Sequence, residues 1–157
     1  MSETSRFDYI DDMNHIIDNL WLGGHPSDIQ NKPYTARPFK HVFALNGRPT
    51  YYISNGQLVI TRPFDDNEYK LPDEEMLHDT AELVLKYSNK GLTLVHCAMG
   101  INRSGLIMGL ALVKSGMTPK TAIDLMREKR SDLVLTNQLF HDWLMKQVPP
   151  DRLLEYV

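Results

Sequence analysis

The sequence predicts an α/β domain in which a mixed central β-sheet is flanked by α-helices. Three observations predict it. Short apolar runs rich in β-branched residues fill the first half of the chain, and helical runs fill the second. The two halves meet in a strand–loop–helix unit whose loop carries the one cysteine, Cys97. The helix after that loop, from Gly105 to Lys114, is apolar on nearly every face, so it is expected to be buried at the centre of the domain.

Strands are expected near residues 15–22, 41–45, 51–53, 58–62 and 92–96. Tyr51 and Tyr52 precede Ser54-Asn55-Gly56-Gln57, a hairpin turn signal before the next apolar run. Helices are expected near 73–88, 104–115, 119–129 and 136–148. Pro72 followed by Asp73, Glu74 and Glu75 marks the start of the first. Met76, Thr80, Leu83, Val84 and Tyr87 fall on one of its faces. Gly116 ends the second helix, and Thr118-Pro119 opens the third as N-cap and first helical residue. Pro149-Pro150 ends the fourth. Trp21 and Trp143 occupy apolar positions and are expected in the core. Residues 1–7 form a polar tail, and 8–157 form one domain, the natural count for 157 residues. Leu153, Leu154 and Tyr156 in the last residues are expected to pack back on it.

Hydrophobic residues make up 42% and charged residues 24%, an ordinary globular composition. Seventeen basic and 20 acidic residues give a formal charge of −3, which leaves no electrostatic footprint for long nucleic acids. No run reaches the roughly 18 apolar residues of a membrane helix, and no signal peptide is evident, so no membrane partner is expected. A single cysteine suits a reducing compartment, so a cytoplasmic location is expected.

The loop is Val95-His96-Cys97-Ala98-Met99-Gly100-Ile101-Asn102-Arg103-Ser104-Gly105. Arg103 follows Cys97 at the sixth position, a spacing that wraps the chain around one phosphate-sized anion. Inward backbone N–H groups from Ala98 to Arg103 form an anion nest, and the helix start adds the positive end of its dipole. Arg103 adds a planar fork matched to phosphate oxygens. The thiolate is the nucleophile, and such surroundings favour it. Ser104 is placed to stabilise the sulfur as a leaving group, and His96 to fix the loop by a hydrogen bond. Ala98, Met99, Gly100, Ile101 and Asn102, together with His96 and Asp66, are expected to bind the substrate. The charge of Arg103 and the loop stands where a metal's would otherwise be needed, so neither metal nor cofactor is expected. His15, His25, His41, His78 and His141 are scattered without ligand spacing and are expected at the surface or in packing.

Breaking a phosphomonoester also calls for a proton on the leaving oxygen. Asp65 and Asp66, in Arg62-Pro63-Phe64-Asp65-Asp66-Asn67-Glu68, lie on a loop between a strand and a helix, and either can supply it.

His96-Cys97, Gly100 and Arg103-Ser104 together resemble the signature loop of the cysteine-dependent protein tyrosine phosphatases, and the small dual-specificity branch fits best. Ile17-Asp18-Asn19-Leu20-Trp21-Leu22-Gly23-Gly24 resembles the opening segment of that branch. Phe39-Lys40-His41-Val42-Phe43-Ala44-Leu45-Asn46 resembles its next strand, and Asn137-Gln138-Leu139-Phe140 the start of its last helix. The resemblance implies a dual-specificity phosphatase-like fold and a phosphocysteine intermediate. It implies phosphotyrosine and phosphoserine/threonine in proteins, or another phosphomonoester, as substrate. In that family an apolar residue follows the acid six positions on; Leu71 stands in that relation to Asp65.

Low-molecular-weight phosphatases and arsenate reductases carry a similar loop near the N-terminus, before the acid; here the loop comes after it. Rhodanese-like loops lack the hydroxyl of Ser104. Phosphoinositide phosphatases tend to carry lysines inside the loop, where this chain is neutral. RNA 5′-triphosphatases of the superfamily resemble it at Gly100-Ile101-Asn102-Arg103 but depart at Ala98, Met99 and Ser104, so RNA ends are the second expectation. Arg37, Lys40, Arg48 and Arg62 are read as solvated charges. A phosphopeptide-binding module would lack the cysteine, the arginine or the acid, and all three are present.

Overall fold

Strands β1 (Met13–Ile17), β2 (Leu20–Gly23), β3 (His41–Ala44), β4 (Leu58–Thr61) and β5 (Thr93–His96) form one sheet in the order β1-β2-β5-β3-β4. The helices are α1 (Glu74–Ser88), α2 (Arg103–Lys114), α3 (Pro119–Lys129) and α4 (Gln138–Met145). The computed structural model describes residues 13–26 and 38–150. The tail at 1–7, Arg37 and the apolar residues Leu153, Leu154 and Tyr156 lie outside the described residues.

β5 is buried along its whole length because it lies between two parallel neighbours, β2 and β3. β4 adds in parallel to β3, and only β1 is antiparallel, which makes the sheet mixed. Leu22, Phe43 and Val95 point to one face, where α2 is sunk among α1, α3 and α4. Every residue of α2 from Ser104 to Val113 is buried, as its all-round apolarity requires. Gly109 makes this close packing possible: a Cβ there would come within 2.5 Å of Leu144 Cδ2. The opposite face holds a smaller core of Met13, Phe39, Val42, Tyr51 and Leu94, against which Trp21 packs. Trp143 belongs to the larger core.

Because β2, β5, β3 and β4 all run in parallel, their carboxyl ends emerge at one edge of the sheet. The segments after Gly23, His96, Ala44 and Thr61 therefore share one rim, where α/β sheets characteristically bind ligands.

Three sequence expectations need correction. The strand at 15–22 is two antiparallel strands joined at Asp18-Asn19, with Ile17 opposite Leu20. Asp18 takes a φ of 50°, which aspartate tolerates better than most residues. The hairpin through residues 51–57 does not form. Its turn is present, with Gln57 N donating to Ser54 O at 3.0 Å, but β4 pairs in parallel with β3 instead. Tyr51 is drawn into the smaller core, and that burial outweighs pairing with β4. The last helix ends at Met145, short of the expected 148.

Helix starts follow the sequence closely. Asp73 caps α1 through Glu75 N, Thr118 caps α3 through Thr121 N, and Asn137 caps α4 through Phe140 N.

Candidate active site

Cys97 follows β5 at that rim and is 2% exposed. Two groups converge on the sulfur. Ser104 Oγ lies within hydrogen-bond distance at 3.1 Å, and Gly100 N donates from 3.2 Å. Gly100 can do this because its φ is 72°. A Cβ at this position would fall 2.4 Å from Gly23 C and 2.6 Å from an Arg130 nitrogen, so only glycine fits. The loop then runs into α2. Asn102 occupies the cap position and makes no side-chain cap, so the first amides of the helix stay open to an anion.

Arg103 is the first residue of α2. Its Nη1 donates to Phe64 O at 3.4 Å, and its Nε is buried without a partner among the described residues. A buried guanidinium donor held unpaired is costly unless an anion completes it. Arg103 shares a cleft of about 280 Å³ with Asn46, Pro63, Phe64 and Asp65.

The two acidic candidates are in different situations. Asp65 is exposed, lines that cleft and has no hydrogen bond to a described residue. Asp66 accepts from Asn102 Nδ2 at 3.0 Å and from Asn137 Nδ2 at 2.7 Å. Both of its oxygens are thus engaged by the protein. Ala98 and Met99 form an exposed lip, Met99 at 71%. Ile101 is half-buried and Gly100 buried.

His96 lies behind the loop, fully buried, rather than on its rim. Its Nδ1 faces Cys97 O at 3.4 Å and its Nε2 faces Tyr51 Oη at 2.7 Å. A carbonyl only accepts, so Nδ1 carries the proton and Tyr51 O–H donates to Nε2. Burial lowers the pKa of His96 to about 4, with the Cys97 carbonyl opposing and His25 adding to the effect. Burial likewise raises that of Tyr51, keeping it a donor. The unfolded chain binds a proton at the ordinary value of 6.5 while the folded one does not. Stability from this group is therefore complete above pH 6.5 and lost as pH falls toward 4, by about 3 kcal/mol in all. Urea denaturation at pH 7 and pH 4.5 is expected to show this loss, with a shallower slope in His96→Gln; equal slopes in the two proteins would remove His96 as its source.

Other residues complete the site. Arg130, at the end of α3, donates from Nε to Gly100 O at 2.8 Å, from Nη2 to Met99 O at 2.9 Å, and from Nη1 to Asn14 Oδ1 at 2.8 Å. It braces the loop's outward carbonyls, which leaves the amides facing in. In the sequence it is the last of a charged run, Arg127-Glu128-Lys129-Arg130, and nothing there separates it from a solvated charge. His25 donates its backbone N–H to Ala98 O at 3.0 Å, and its ring packs 5.3 Å from that of His96. Arg62 lines a different cleft, with Asp79, Glu82 and Lys86. Among the described residues, no group of three His, Cys, Asp or Glu side chains is able to hold a metal ion, and no helix is long and apolar enough to cross a membrane.

Residues 20–148 match the family "Dual specificity phosphatase, catalytic domain". The chain is 31% identical over 144 residues to protein tyrosine phosphatase type IVA 3 of Mus musculus, covering 90% of this chain and 80% of that protein. It is 28% identical over 93 residues to the PRL-1 phosphatase of Drosophila melanogaster, covering 57% and 51%. Among solved structures, a mouse putative dual specificity phosphatase complexed with zinc tungstate superposes with a TM-score of 0.70 at 13% identity, covering 87% of each chain. The active form of Tk-PTP gives 0.68 at 22% identity, covering 87% of this chain and 98% of that one. Both structural likenesses concern the fold.

Proposed function

The chain belongs to the dual specificity phosphatase catalytic-domain family and is a cysteine-based protein phosphatase; on that premise we propose that it hydrolyses phosphotyrosine and phosphoserine or phosphothreonine in proteins through a phosphocysteine formed on Cys97. The observation that carries this reading is the convergence of Ser104 Oγ and Gly100 N on Cys97 Sγ at the mouth of a buried helix.

Cys97 thiolate attacks phosphorus, forming the S–P bond as the ester P–O bond breaks. Asp65 gives its proton to the departing oxygen. Arg103 and the loop amides hold the equatorial oxygens, whose charge is spread in a loose transition state. Water then attacks phosphocysteine, Asp65 takes its proton, and the S–P bond breaks. The sulfur leaves as a thiolate stabilised by Ser104 O–H and Gly100 N–H. The single cysteine suits a reducing compartment such as the cytosol.

Asp65 is favoured because its carboxyl lines the same cleft as Arg103 and has no hydrogen bond to a described residue. The bond from Asn102 Nδ2 favours a second reading, since it draws the Asp66 carboxylate against the anion loop. The two are separated by kcat/KM on phenyl phosphate. Asp65→Asn is expected to lose about 100-fold and Asp66→Asn clearly less; the reverse order moves the proton to Asp66.

The substrate test is a panel in excess chelator: phosphotyrosine and phosphothreonine peptides, a phosphoinositide and an RNA 5′-triphosphate. Peptides are expected to be hydrolysed fastest. A preference for the RNA end or the lipid headgroup would reassign the substrate class while leaving the chemistry intact.

A further inference from the structure

Three segments far apart in sequence are clasped together beside the anion loop. Asn137 Nδ2 donates to Asp66 Oδ1 at 2.7 Å and to Asn67 O at 3.1 Å. Asn102, inside the anion loop, donates to the other Asp66 oxygen at 3.0 Å and accepts from Asn137 N at 2.9 Å. Both amide orientations are fixed by their partners. Asn137 Oδ1 faces the Phe140 N–H, and Asn102 Oδ1 faces the Asn137 N–H, so neither side chain can turn over without losing bonds at both ends.

Asn137 is itself held from behind. It is 2% exposed and caps α4, whose Phe140 and Leu144 are in the core. Two residues earlier, buried Leu135 takes a φ of 61° and donates its N–H to Ile101 O at 3.0 Å. Arg127 Nε secures the neighbouring Val134 O at 2.9 Å. The segment is thus anchored to the anion loop on one side and to the acid loop on the other. Neither asparagine has a hydrogen bond to Cys97 or Arg103.

We propose that Asn137 is a positioning residue that holds the acid loop, residues 63–67, closed over the anion loop, so that the proton donor is in place before substrate binds. The proposal rests on the phosphatase reading above. It holds whichever of Asp65 and Asp66 carries the proton, because the clasp grips the loop that bears both. Its chemistry is specific to asparagine: one oxygen caps a helix while one NH₂ group serves a carboxylate and a carbonyl. The Nη1 bond from Arg103 to Phe64 O adds a second tie across the same gap.

Two substitutions separate this role from helix capping, since serine and aspartate both cap well. The readout is the ratio of kcat/KM for phenyl phosphate, whose leaving group needs a proton, to that for a dinitrophenyl phosphate, whose leaving group does not. The ratio is independent of how much of a sample is folded. Asn137→Ser is expected to lower it by roughly 30- to 100-fold, most of a general acid's contribution. Asn137→Asp is expected to lower it similarly at pH 7 and to recover in part near pH 5. There, one of the two facing carboxyls takes up a proton and restores the hydrogen bond. Equal losses on both substrates, or an unchanged ratio in Asn137→Ser, would overturn the proposal. Activity retained in Cys97→Ser would instead overturn the phosphatase reading beneath it.

Discussion

Cys97→Ser is expected to lower hydrolysis of a small aryl phosphate by about 10⁴-fold or more, while phosphate binding and thermal stability stay close to those of the parent. An oxygen in place of Sγ is smaller, and Ser104 Oγ and Gly100 N still surround it. What it lacks is a base. A serine nucleophile needs a neighbour to take its proton, and the nearest histidine is committed elsewhere. His96 is neutral, its Nδ1 proton directed at Cys97 O and its Nε2 occupied by Tyr51. A thiol ionises far more readily than an alcohol, so sulfur depends less on such a partner than serine oxygen does. Calorimetric titration with inorganic phosphate measures the retained binding, and initial rates in excess chelator measure the loss. A variant within tenfold of the parent rate would place the nucleophile elsewhere in the chain.

The parts of this site that were legible in the sequence are those whose causes are local. Cys97, Gly100, Arg103 and Ser104 are set by one loop, where spacing alone dictates which groups meet. The burial of α2 follows from apolarity on all its faces, and its position behind the loop follows from chain order. The corrections have non-local causes. Residues 51–57 carry a good turn, yet the sheet takes β4 in parallel because Tyr51 is buried behind the loop, bonded to His96. The turn at Asp18-Asn19 is an exception: it has a local signal, since both residues favour turns, but the apolar residues on either side of it read together as one strand. Arg130 and Asn137 reach the site only through tertiary structure. One ends a charged helix and the other begins an apolar one, so their local sequence advertises solvation and capping. His25 is similar: its neighbours in the chain say nothing of a ring that meets His96 only after β2 and β5 pair. The same parallel pairing brings residues 63–67 and the Cys97 loop to one rim, so the cleft that Asp65 shares with Arg103 is a consequence of topology.

Arg103→Lys is the more discriminating test of how that rim handles charge, with an expected loss of about 10³-fold in kcat. The substitution keeps the positive charge, so any contribution from bulk electrostatics survives it. What it removes is the fork. Arginine presents five donors in a fixed plane, whereas lysine presents a compact ammonium on a flexible stem. In the protein part of that plane is already used. Nη1 reaches Phe64 O on the acid loop, while the buried Nε has no partner among the described residues and is left for an anion. A lysine can serve the anion or the acid loop, but it cannot hold both in register. The transition state, in which charge moves onto the equatorial oxygens, should suffer more than the ground state. The loss is therefore expected mainly in kcat, with KM changed by less than about tenfold. If lysine instead raises KM and leaves kcat near the parent value, Arg103 acts as a ground-state anchor, and the stabilisation of the transferring phosphoryl group must come from the loop amides and the mouth of α2.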